Sequence, residues 1–202
     1  VGAPGADGVS PGSGAVLWFE RDRPRRRWDL KGRLQAPAGA RGDEFGAALA
    51  MAEGVIAVGA PGADIVQKDS GAVHVFGIDS EADDPRHRLR LAAPSVSRAG
   101  RFGSAIAVTS ERLLVGAPGL HGMVGSAHVY DLTTLDADDH LPFDMIASVD
   151  QGLPERGVPA ILQDRPGFLW FGTLHGGLAV YDGHEFTAYQ HDPLDPQSIS
   201  DN

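Results

Sequence analysis

The sequence predicts an all-β fold: a β-propeller of four-stranded antiparallel blades, in the form of an incomplete or open arc. Three observations carry that prediction. The block Val-Gly-Ala-Pro-Gly at Val1 returns at Val58 and again at Val115, 57 residues apart each time. Residues 1–63 laid over 58–120 without a gap agree at about 28 of the 63 positions, several times what unrelated sequence would give. Short apolar runs inside each period are separated by turn residues, drawn from 27 Gly and 14 Pro that supply positive φ and preset turn geometry.

Within one period the runs place four strands in order. They are 45–52, a Glu53-Gly54 turn, 55–59, then after a loop 71–78, and finally 88–92. Four strands per repeat make a propeller blade. The same offset sets Phe19 over Phe76, Leu34 over Leu91, Pro37 over Pro94, and Phe45-Gly46 over Phe102-Gly103.

After Tyr130 the period breaks, and an acidic stretch over 131–140 reads as a linker or blade crossover. Beyond Phe143 four further strands are expected at 158–163, 168–173, 178–181 and 185–190, with turns at 164–167 and at the hairpin dipeptide Asp182-Gly183. The expected organisation is therefore repeat blades over 1–131, an acidic linker or crossover over 132–142, and a blade of another type with the start of the next over 143–202. That amounts to about three and a half blades, where closed propellers have four to eight. The repeat is entered partway at Val1, so an open arc or a fragment of a longer chain is expected. Open arcs leave strand edges ready to pair, which implies edge-to-edge self-association.

The paired motifs resemble the FG-GAP repeat of integrin α-subunit propellers and many bacterial surface proteins. Phe45 and Gly46 with Gly59, Ala60 and Pro61 form one copy, and Phe102 and Gly103 with Gly116, Ala117 and Pro118 form the next. Gly2-Ala3-Pro4 keeps the second half alone. Their chemistry is architectural: the Phe fills the space between blades and the Gly lets backbones approach where a Cβ would clash. The later segment resembles the two-component regulator propeller repeat, through Asp164, Gly167, 169–173 with Trp170 and Gly172, Gly177, and Tyr181-Asp182-Gly183. That second resemblance implies an extracytoplasmic sensor blade ahead of a membrane helix and a signalling output.

Seventeen basic against 27 acidic side chains give a net charge of −10, which repels phosphate backbones and anionic lipid alike and argues against nucleic acid as a partner. No apolar run approaches the ~20 residues of a membrane-spanning helix, so no membrane segment is expected in this chain. Without Cys there is neither a disulfide nor a thiolate metal site.

The chemical motifs are each outweighed by an ordinary reading. Gly8-Val9-Ser10-Pro11-Gly12 has the spacing of a nucleophile elbow, but a Pro follows the Ser and no helix follows the Pro. Arg41-Gly42-Asp43 spells the tripeptide that integrins recognise, yet the next repeat reads Arg-Ala-Gly there. Calcium would need several oxygen ligands in one turn, and the corresponding loop offers only Asp64 and Asp69, short of the full motif; the run 136–139 lacks a turning Gly. The basic run 21–27 faces an acidic counterpart at 78–84, as solvated loops do. Eight His include no pair at helical metal spacing, though separate strands could join some. Trp170 reads as core, whereas Trp28, in a charged region, is the better candidate for an exposed sugar-stacking face.

No cofactor and no catalytic residue are expected, and the chain reads as a non-enzymatic module. The resemblances imply an extracellular, cell-surface or periplasmic module for ligand or protein binding and adhesion, with a protein or carbohydrate held at the blade loops. The alternative they leave open is the sensory input region of a transmembrane two-component or cyclase-type receptor.

Overall fold

The computed structural model describes residues 1–52, 54–78, 84–93, 98–119, 125–133, 143–147, 158, 160–164, 167–173, 175–182 and 185–199. The first sheet holds β1 (Gly2–Ala3), β2 (Ala15–Asp22) and β3 (Arg27–Leu34). The second holds β4 (Ala48–Ala52), β5 (Val55–Ala60), β6 (Ala72–Gly77) and β7 (Arg86–Ala92). The third holds β8 (Ala105–Val108), β9 (Arg112–Ala117), β10 (Ser126–Asp131) and β11 (Phe143–Ala147). The fourth holds β12 (Ala160–Gln163), β13 (Leu169–Gly172), β14 (Leu178–Tyr181) and β15 (Phe186–Tyr189).

Among the described residues, every pairing between named strands is antiparallel and joins sequence neighbours. Inner β6 is covered on both faces and buried at all six positions. Outer β7 alternates, burying Leu89 and Leu91 between exposed Arg88 and Arg90.

Each sheet packs face-on against the next in chain order, and an apolar cluster fills each of the three joints. Val16 and Leu34 of the first sheet meet Ile56 and Phe76 of the second around Phe45. Val73, Val75 and Leu91 of the second meet Leu113 and Val115 of the third around Phe102. Leu114 and Ala127 of the third meet Leu169, Phe171 and Ala179 of the fourth, with Val158 between them. The result is an all-β, open, propeller-like arrangement.

Two expectations shift. The third blade takes its fourth strand from Phe143–Ala147, paired to β10, so the boundary drawn at 131 and again at 143 cuts through a blade. Phe45 and Phe102 precede β4 and β8 rather than beginning them, because each reaches back to the previous sheet through a parallel bridge, to Gly14 and Gly71 respectively. Residues 134–142 of the acidic stretch, Pro94 and Gly183 lie outside the described residues.

Candidate functional site

The motif residues form one joint, built twice. Phe45 and Phe102 are fully buried, and each is met edge-on by two rings of its own sheet: His74 and Phe76 for the first, His128 and Tyr130 for the second. The amide of Gly46 donates to the Gly59 carbonyl at 2.9 Å and that of Gly103 to the Gly116 carbonyl at 3.0 Å, tying each FG pair to the GAP of its own blade. Gly46 and Gly103 hold φ of +95° and +91°, where a Cβ is strained. A Cβ on Gly59 would collide with the Gly103 carbonyl oxygen, so GAP also receives the FG of the following blade. Ala60 and Ala117 are fully buried beside these glycines, and Pro61 and Pro118 open the turns that leave β5 and β9. Across the second joint, Arg101 and Glu44, equivalent positions of adjacent units, form a half-exposed ion pair at 2.6 Å.

The acidic loops are occupied with their own backbone. Asp64 Oδ1 accepts the Asp69 amide at 2.7 Å, as Asp7 Oδ1 accepts the Gly12 amide at 2.9 Å one repeat earlier. Among the described residues no three His, Asp or Glu side chains converge as metal ligands do. Asp43 turns inward, only 9% exposed, and its Oδ2 accepts the Ala40 amide at 2.7 Å; burial raises its pKa above the usual carboxylate value. An adhesive Arg41-Gly42-Asp43 would need that carboxylate in solvent, and the fold withholds it.

In the fourth sheet Asp164 accepts the amides of Gly167 and Phe168 and the Trp170 indole, at 2.9 to 3.0 Å. Trp170 is half-buried and stacks on Tyr189, 6.0 Å between centroids, so it lies outside the core that Leu169 and Phe171 enter. Gly172 ends β13 between Ala160 and Leu178, the Gly177 carbonyl accepts both donors of Thr173, and Asp182 Oδ1 accepts the Glu185 amide at 2.9 Å. All of these residues shape turns and strands.

An apolar concavity lies at the other end. A groove of about 530 Å³ lies between β2 and β4, walled by Trp18, Phe19, Trp28, Leu49, Met51 and Ile56. Trp28 is 65% exposed, in keeping with its position in a charged stretch, and Met51 is 70% exposed. On the same hairpin, the basic run is interleaved with acids: Arg25 pairs with Asp22, Arg27 with Asp29 and Lys31 with Glu20. Those pairs compete with any anion for the cations.

Sequence reasoning missed a histidine contact. His74 Nδ1 lies 3.0 Å from His87 Nε2 across β6 and β7. A bulge between Val75 and Phe76 makes Arg88 the extra residue, which carries His87 onto the face of His74. Desolvation, then the His87 and Arg90 charges, push His74 down to about 3. A histidine held neutral when folded but titrating near 6.5 unfolded stabilises fully above pH 6.5, and that contribution falls as pH drops toward 3. Between pH 7 and 5 the loss is about 2 kcal/mol. His74→Leu, copying Leu17 at the same place one repeat earlier, is expected to flatten stability over that interval in urea titrations; an unchanged slope would remove His74 as its cause.

The stacked antiparallel sheets with their repeated joints define the class of the molecule, an open propeller-like array of blades. The profile of the FG-GAP repeat matches residues 28–76, and the chain carries an FG-GAP repeat there. That match runs from β3 of the first sheet through β6 of the second, so the family's sequence unit spans a joint rather than one blade. No curated protein matches the chain.

Proposed function

We propose that this chain is a non-catalytic, extracytoplasmic module that binds a protein or carbohydrate ligand at its blade loops. The observation that carries this reading is the FG-GAP match over residues 28–76, on sheets whose repeated joints fix the loops of successive blades relative to one another. FG-GAP repeats are typical of binding modules at cell surfaces, which supports both the non-catalytic and the extracytoplasmic parts. Titrating the protein with peptide and oligosaccharide panels while following tryptophan emission is the test. A saturable shift with one of these probes, at concentrations that leave the circular dichroism spectrum unchanged, is expected. Silence from every probe would sink the reading.

A second reading, sensory input to a transmembrane receptor, draws on the fourth sheet, where Asp164 binds the Trp170 indole in a motif similar to the regulator propeller repeat. It predicts a ligand response in tryptophan emission that Trp170→Phe removes; a response that Trp170→Phe leaves unchanged counts against it.

A further inference from the structure

The 57-residue repeat sets two histidines apart from their surroundings. His74 of β6 and His87 of β7 fall on Leu17 of β2 and Leu30 of β3, so a pair of leucines in the first sheet is a pair of imidazoles in the second. Both histidines belong to one hairpin whose strands pair along their whole length.

Each ring is held by an aromatic neighbour. Phe45 meets His74 edge-on at 5.4 Å between centroids, and Phe76 meets His87 edge-on at 5.2 Å. His74 is only 5% exposed, whereas His87 is an exposed residue of the outermost strand of its sheet. The pair therefore has one side fixed in the joint and one side open to water.

His74 Nδ1 and His87 Nε2 converge to 3.0 Å. Two imidazole nitrogens bound to one metal ion at ~2.0–2.1 Å stand about 2.8–3.0 Å apart when they are cis in a tetragonal field, and about 3.3–3.4 Å apart in a tetrahedron. The observed spacing is that of the tetragonal arrangement.

We infer that His74 Nδ1 and His87 Nε2 form a cis bis-imidazole site for a divalent transition metal of tetragonal preference, Cu2+ or Ni2+, with water in the remaining positions. Both rings ligate in the neutral form, and the proton between the two nitrogens moves to the far nitrogen of its own ring. Burial, then the His87 and Arg90 charges, keep His74 neutral, so protons do not compete for its Nδ1 near neutral pH. The same Arg90 charge opposes an incoming cation and holds the affinity below that of an unopposed chelate. Among the described residues no third His, Asp or Glu joins the pair, which leaves the other positions of the ion to solvent. The inference stands apart from the reading of the chain as a ligand-binding module.

The test strips the whole chain with a chelator and titrates it calorimetrically with CuCl2 and with NiCl2 in a non-coordinating buffer. One saturable site is expected, with electron paramagnetic resonance at one equivalent of Cu2+ showing coupling to two imidazole nitrogens. Ni2+ is expected to raise the urea midpoint, because the converged pair exists only in the folded chain. His87→Leu, which copies Leu30 at an exposed position, is expected to weaken the site at least about tenfold, since losing even a hydrogen-bond partner of a ligand costs that much. Binding that His87→Leu leaves intact, or a resonance spectrum with fewer than two nitrogens, overturns the inference, because the ion then sits at the amino terminus or on separate surface histidines. A urea midpoint that Ni2+ leaves unchanged or lowers overturns it as well, since the ion then has no preference for the folded hairpin.

Discussion

Phe102→Ala is expected to lower the unfolding free energy by about 3–5 kcal/mol, the cost of removing a fully enclosed phenyl ring. Phe102 is 0% exposed and lies where Val73, Val75 and Leu91 of one sheet face Leu113 and Val115 of the next. His128 and Tyr130 present their edges to it at centroid distances of 5.6 and 6.2 Å, so truncation removes ring contacts as well as apolar burial. Backbone ties on both sides, Phe102 N to Ser70 O at 3.1 Å and Gly103 N to Gly116 O at 3.0 Å, oppose collapse of the sheets into the space left behind. Urea unfolding followed by circular dichroism should show the midpoint falling by about 1 M or more. A loss under about 1 kcal/mol would mean that the plug does not hold the second sheet to the third.

Gly59→Ala is expected to cost about 4 kcal/mol, at the top of the range for one substitution. The new methyl would run into the Gly103 carbonyl oxygen and stand 3.2 Å from the Ala48 Cβ, and the first of these is backbone that cannot rotate away. Gly59 itself has ordinary strand backbone, so the penalty is steric and not conformational. Gly5→Ala is the control: nothing lies within 4 Å of its Cβ, and its stability should change by no more than about 0.5 kcal/mol. Comparable midpoints for the two variants would show that the blades can part at the glycine contact without loss.

The blades were legible because repetition exposes them. Phe45 over Phe102 and Gly59 over Gly116 mark the joints without any knowledge of contacts. The contribution of Phe143–Ala147 to the third blade was not legible: the 57-residue offset sets it over the start of β7, but Arg86–Arg90 and Phe143–Ala147 share no identical residue, and an acidic stretch separates it from β10. Nor was the His74–His87 contact, which depends on a single bulged residue, Arg88, shifting the face of everything beyond it. Lys31 occupies the same bulge one repeat earlier, yet neither residue carries a sequence signal of that role. Trp28 was legible as an exposed aromatic, but the groove it borders was not: Leu49 and Met51 have the alternation of a buried strand and are exposed only through what lies opposite them.

The third joint departs from the other two. Gly2 and Gly59 each meet a glycine carbonyl of the following sheet, whereas Gly116 faces the carbonyl oxygen of Val158, 3.1 Å from where its Cβ would stand. The glycine on the leading side thus meets the steric demand alone, and the incoming sheet contributes a backbone oxygen and apolar side chains such as Val158 and Phe171. Sequence change on the incoming side is therefore cheap wherever apolar residues stay at 158 and 171, whereas at 116 on the leading side any Cβ crowds a backbone oxygen.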